Sequence, residues 1–126
     1  MIYRIPIIIL ALAISWTARA SENLPHFVQD LVERYKQMPP RSSPGAVWRY
    51  QYEGRVVYFV PRLPCCDIPS ALYTASGELL CHPDGGFTGL GDGTCLDFFG
   101  KRTSERLVWR DARGTPEPSE PVRVRP

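Results

Sequence analysis

The chain lacks an apolar run long enough to cross a bilayer. Its N-terminal apolar stretch, Ile5 to Trp16, covers twelve positions, about 18 Å as a helix against roughly 30 Å of hydrocarbon. A lipid anchor of the bacterial lipoprotein kind needs a cysteine at the processing point, and the first cysteine is Cys65. Charge of one sign is not in excess either. The 15 Lys and Arg outnumber the 13 Asp and Glu only through Arg4 and Arg19. Beyond residue 20 the signs balance, which gives no global field for nucleic acid or an anionic membrane surface. There is no C-x-x-C pair and no internal repeat, which removes a thioredoxin-like motif and a solenoid. Histidine is scarce: His26 falls in a helical stretch, and His82 has no second histidine near it in sequence.

What the N-terminus does contain is an export pattern. Arg4 precedes the apolar run, and Ala18-Arg19-Ala20 offers a small-residue cleavage site before Ser21, the order of a secretory signal peptide. Residues 1–20 are therefore expected to be removed, leaving a periplasmic or secreted product with no membrane anchor. Residues 21–112 read as one small domain, thinly stable without covalent staples. Residues 113–126, with Pro116, Pro118, Pro121 and Pro126 among charges, read as a disordered tail.

Within the domain, Leu24, Phe27, Val28, Leu31, Val32 and Tyr35 recur at helical spacing from Leu24 to Met38, with Asn23 as the expected N-cap and Pro39-Pro40 as the stop. The opposite face carries Gln29, Asp30, Glu33, Arg34 and Lys36, so the stripe is expected to be core packing. Ala46 to Tyr52 alternates aromatic and other residues, and Arg55 to Val60 is a second β-rich run across the turn Glu53-Gly54. The two predict a hairpin. Ser76-Gly77 predicts a turn, with short strands at Glu78 to Cys81 and Arg106 to Trp109. The aromatic residues between Trp48 and Trp109 are expected to fill the core rather than form a ligand platform.

Four cysteines, Cys65, Cys66, Cys81 and Cys95, lie in one stretch. An even count in an exported chain predicts two disulfides. Three connectivities are possible, and a bridge between adjacent cysteines strains the peptide, so Cys65 and Cys66 are expected to reach separately to Cys81 and Cys95. The directly adjacent pair does not match the C-x2-C spacing of zinc ligands. It could form a reactive dithiol, but no Lys or His stands beside it to lower a thiol pKa.

The most distinctive segment runs from Cys81 to Phe98. Its Gly85, Gly86, Gly89, Gly91 and Gly93 permit unusual backbone angles, while Asp84, Asp92 and Asp97 offer hard oxygen ligands. Calcium is thereby raised as a candidate, although the spacing departs from the EF-hand pattern. The bland alternative is that Asp and Gly are the residues tight turns demand. Gly89-x-Gly91-x-Gly93 has neither the lysine of a P-loop nor the strand-then-helix setting of a dinucleotide site. His82 is expected to be a satisfied or solvent-facing imidazole.

Val47-Trp48-Arg49-Tyr50, Val57-Tyr58-Phe59-Val60, Cys65-Cys66-Asp67, Leu72-Tyr73, Asp97-Phe98 and the loop C-x-P-D-G-G-x-T-G-x-G-D-G-x-C from Cys81 to Cys95 together resemble a family of small exported bacterial domains of unknown function. The likeness covers about Leu24 to Asp111 and departs at Leu96, where a proline would be expected. It implies an exported domain that begins with a helix and continues through short strands to a cysteine-framed loop, and it implies no activity.

The expected fold is α+β: one N-terminal helix packed on a small antiparallel sheet, with an irregular, disulfide-stapled, glycine-rich region from Cys65 to Asp97. With no catalytic set in view, the expected function is a non-enzymatic binding or interaction module. It would use the Asp84 to Gly93 loop toward an unidentified envelope or extracellular partner and need no cofactor. Two alternatives stand beside it: a thiol-disulfide redox protein using Cys65 and Cys66, and a calcium-dependent domain using Asp84, Asp92 and Asp97.

Overall fold

The computed structural model describes residues 23–61 and 68–113. The expected signal peptide, the Cys65-Cys66 pair and the Pro-rich tail from position 114 lie outside them. Helix α1 spans His26–Gln37. Strands follow at Ala46–Tyr52 (β1), Arg55–Val60 (β2), Ala71–Thr74 (β3) and Leu79–Cys81 (β4), then a short helix at Phe98–Lys101 (α2) and a last strand at Thr103–Arg110 (β5).

The expected α+β frame, one helix on a small sheet beside an irregular stapled region, is corrected. The domain is mostly a five-stranded antiparallel sheet in the order β4-β3-β2-β1-β5. The region read as irregular supplies β3, which no pattern announced, beside β4, which matches the short strand expected at Glu78 to Cys81. The physical reason lies in β1 and β2. Trp48, Tyr50 and Tyr52 with Val57 and Phe59 make one face apolar, and Val47 with Val56, Tyr58 and Val60 puts a second apolar patch on the other, so the sheet has two faces to cover rather than one. On one face Tyr50, Tyr52, Val57, Phe59 and Leu72 cluster with Cys81, Cys95 and Phe98. On the other, Val47, Tyr58, Val60 and Ala71 cluster with Val28, Leu31 and Val32 of α1. The apolar stripe of α1 is therefore spent on core packing, as its spacing predicts.

Local chemistry fixes the element ends. Pro25, not Asn23, precedes the first turn of α1, and its carbonyl accepts from the Val28 and Gln29 backbone N–H groups at 3.0 and 3.2 Å. The β1–β2 hairpin turns through Glu53 and Gly54, both at positive φ (50° and 75°), the geometry that matches the twist of two-residue hairpins. Past β5, Arg113 donates to the Tyr35 carbonyl at 2.8 Å and to the Lys36 carbonyl. Those are carbonyls of the last turn of α1, which need outside donors. Buried Asp111 holds the same guanidinium at 2.8 and 2.9 Å, so ordered contacts reach one residue into what the sequence assigns to the tail. No helix among the described residues is long and apolar enough to cross a membrane.

Candidate functional site

The chain leaves β4 at Cys81 and returns to regular structure only at α2. Between them it folds back on itself. The His82 N–H donates to Asp92 Oδ2 at 2.8 Å, and the Asp92 N–H returns the bond to the His82 carbonyl at 3.0 Å. One step further in, the Gly91 N–H donates to the Gly85 carbonyl at 3.0 Å and the Gly85 N–H to the Gly89 carbonyl at 3.1 Å. Gly85 and Leu90 form an isolated parallel bridge. The loop is thus a small closed ladder, with Gly86 and Phe87 at its turn.

Glycine at position 91 is required on two counts. Its φ is +63°, and a Cβ there would stand 1.8 Å from the His82 carbonyl oxygen. Asp92 serves as the matching acceptor. Its Oδ1 takes the Thr94 N–H at 3.0 Å and the Thr94 hydroxyl at 2.8 Å. These bonds, led by the Thr94 N–H and followed by that of His82, hold its carboxyl below the usual range. Its charge is used to shape backbone, as turn chemistry predicts.

The base of the loop is pinned by Ser70, a residue the sequence reading did not single out. Ser70 is fully buried. Its N–H donates to the Asp84 carbonyl at 3.0 Å, and its hydroxyl accepts the Asp84 N–H at 3.1 Å. Its own carbonyl lies 2.8 Å from His82 Nδ1, so the imidazole is satisfied, as expected. A lone serine after Pro69 carries no pattern that could have marked it. Ser, His and Asp do meet here, but the hydroxyl faces backbone groups and the imidazole faces a carbonyl, which is no nucleophile–base pair.

The three aspartates stand in separate surroundings. Asp84 is 8% exposed, and its Oδ1 is buried with no hydrogen-bond partner among the described residues. Asp97 accepts the Tyr52 phenol on Oδ1 at 2.6 Å and Lys101 Nζ on Oδ2 at 3.0 Å, which lowers its pKa. Burial and Asp97 together raise the Tyr52 phenol above its ordinary value. No group of three or more His, Cys, Asp or Glu among the described residues is placed to hold a metal ion. Both oxygens of Asp92 and of Asp97 are engaged in building the loop and anchoring α2.

The staple differs from the expected one. Cys81 is bonded to Cys95, so neither is available to Cys65 or Cys66, and the expected separate bridges are corrected. Both bonded cysteines sit in the aromatic cluster beneath the loop. That position explains the pairing: β4 and the approach to α2 deliver one cysteine each to the same sheet face. Above this base the loop exposes its apolar residues. Phe87 is 99% exposed, Leu90 56% and Leu96 60%.

Sheet and loop define a small antiparallel β-domain that carries a disulfide-closed, hydrogen-bonded glycine and aspartate loop. The chain belongs to the family described as a domain of unknown function (DUF6970), whose model matches residues 33–111. The match takes in the end of α1 from Glu33, all five strands and the whole loop. No curated protein and no solved structure matches the chain.

Proposed function

We propose that the domain is a non-enzymatic interaction module, exported from a bacterial cell, whose Asp84 to Gly93 loop offers Phe87 to an apolar pocket on a partner protein. The observation that carries this reading is Phe87 itself, 99% exposed at the turn of a loop tied by hydrogen bonds at its base and along its length. An aromatic side chain held in water by ordered backbone forgoes burial worth about 2 kcal/mol. Interfaces place aromatic anchors in this way, and a loop already in shape loses little freedom on binding. Three titratable side chains of this region support a binding role over a catalytic one, because His82, Asp92 and Asp97 are each committed to holding structure. Export is supported by Arg4, the Ile5 to Trp16 run and Ala18-Arg19-Ala20, and by the Cys81–Cys95 bond, which persists in oxidising compartments.

A photo-crosslinking residue placed at position 87, and in a second protein at the β1–β2 turn at position 53, tests the reading in envelope extract. Discrete adducts at 87, absent at 53 and competed away by unlabelled native protein but not by Phe87→Ala protein, are expected. Equal labelling at both positions, or turnover of a disulfide substrate by the pure domain, would sink it.

A further inference from the structure

Arg102 follows α2, and its guanidinium lies among aromatic rings: Cζ is 5.0 Å from the Phe99 ring centre, 5.1 Å from that of Tyr50 and 5.9 Å from that of Phe98. Rings stabilise the cation through their faces and accept none of its in-plane hydrogen bonds. No carboxylate pairs with it among the described residues, and its Nη1 is buried without a partner. Of the carboxylates closest in sequence, Glu105 is exposed on β5, and Asp97 has one oxygen on Tyr52 and the other on Lys101. A second orphan donor stands on the same sheet face. Trp48 shares that face with Tyr50 and packs against the same cluster, and its Nε1 is also buried without a partner. Both side chains are only partly buried overall, so each reaches the surface from a donor-bearing interior.

A permanently charged planar fork, an indole donor on the same sheet face and a floor of rings form a recognisable chemistry. A fork of this shape matches the two oxygens of a carboxylate, and the rings suit an apolar body attached to it. A strongly hydrated inorganic anion gains nothing from the rings. We infer that Arg102, with Trp48 packed against the same aromatic cluster, forms a binding site for an organic carboxylate bearing an apolar or aromatic group. The site lies on the sheet face that holds the Cys81–Cys95 bond and does not depend on the role of Phe87.

The test is a titration of the 15N-labelled full chain with sodium benzoate, followed by the indole N–H signals, with sodium phosphate in a parallel arm. Saturable movement of the Trp48 signal with benzoate is expected, without movement of Trp109, which belongs to the cluster on the opposite face. Arg102→Gln should weaken binding by about tenfold or more. Arg102→Lys, which keeps the charge without the fork, should also weaken it and serves in its place if the glutamine variant fails to fold. No saturable shift at Trp48, an equal response in both variants, or tighter binding of phosphate than of benzoate would overturn the inference.

Discussion

Gly91 lies directly against the His82 carbonyl, so close that a Cβ at 91 would meet that oxygen at 1.8 Å and the Asp84 nitrogen at 2.9 Å. Both obstacles are backbone and neither can rotate away. The bond from the Asp92 N–H to the same carbonyl depends on this approach.

Gly91→Ala is therefore expected to destabilise the domain by about 2–4 kcal/mol, from overpacking added to a left-handed backbone. Gly89→Ala is the informative contrast. Its φ is also positive, at +75°, but its Cβ would meet nothing within 4 Å, so only the conformational cost of about 1 kcal/mol remains. Thermal melts of the two variants, with amide exchange at Asp92 and Thr94, distinguish them. Equal losses would mean that the close approach is unimportant.

The Cys81–Cys95 bond closes a segment with a sequence separation of 14, worth about 3 kcal/mol in the chain-entropy account. The double variant Cys81→Ser, Cys95→Ser should lose about that much and show raised amide exchange through the Gly85 to Gly93 ladder. A non-reducing peptide map of the native chain should link Cys81 to Cys95. A fragment joining either of them to Cys65 or Cys66 would contradict the pairing.

Acid should act through Asp111. The Arg113 side chain, its backbone N–H and the Ser43 hydroxyl hold this enclosed carboxyl well below the ordinary carboxylate range. A carboxyl depressed in the folded state contributes stability that is complete above its unfolded pKa, about 4, and is lost as pH falls through the folded value. The melting temperature of the native chain should thus decline below about pH 4. Asp111→Asn should start lower at neutral pH, because Arg113 loses its charged partner, and should decline less steeply in acid. Parallel curves for the two proteins would show that Asp111 is not the group responsible.

How much of this was legible in the sequence depended on pattern length. Helix α1 and the β1–β2 hairpin span two or more repeats of their period, and the Glu53-Gly54 and Ser76-Gly77 turns carry their own chemistry. Strand β3 is only Ala71–Thr74, too short to alternate visibly and preceded by Pro69. Strand β5 begins four positions before the apolar residues that hinted at it, because Thr103 to Arg106 are all exposed. The sheet looked smaller than it is for these two reasons. The loop was recognisable as a turn structure from its Asp and Gly content, while the partners that hold it were not. Ser70 and Tyr52 reach it from strands or strand ends far away in sequence, and no local spacing encodes such a contact. The pairing of Cys81 with Cys95 is of the same kind, since it follows from which sheet face each cysteine meets.

The strand order also bears on how the domain assembles. Strands β1 to β4 are consecutive neighbours and can zip together by local hairpins, but β5 must return across roughly sixty positions to set Arg110 beside Ala46. Until it does, β1 is an open edge lined with aromatic residues, a template for pairing with another chain. The segment between β4 and β5 is therefore also the tether that sets how often β5 finds that edge. A chain that has already joined Cys81 to Cys95 searches with a shorter free length, so oxidation before docking should speed refolding and suppress aggregation.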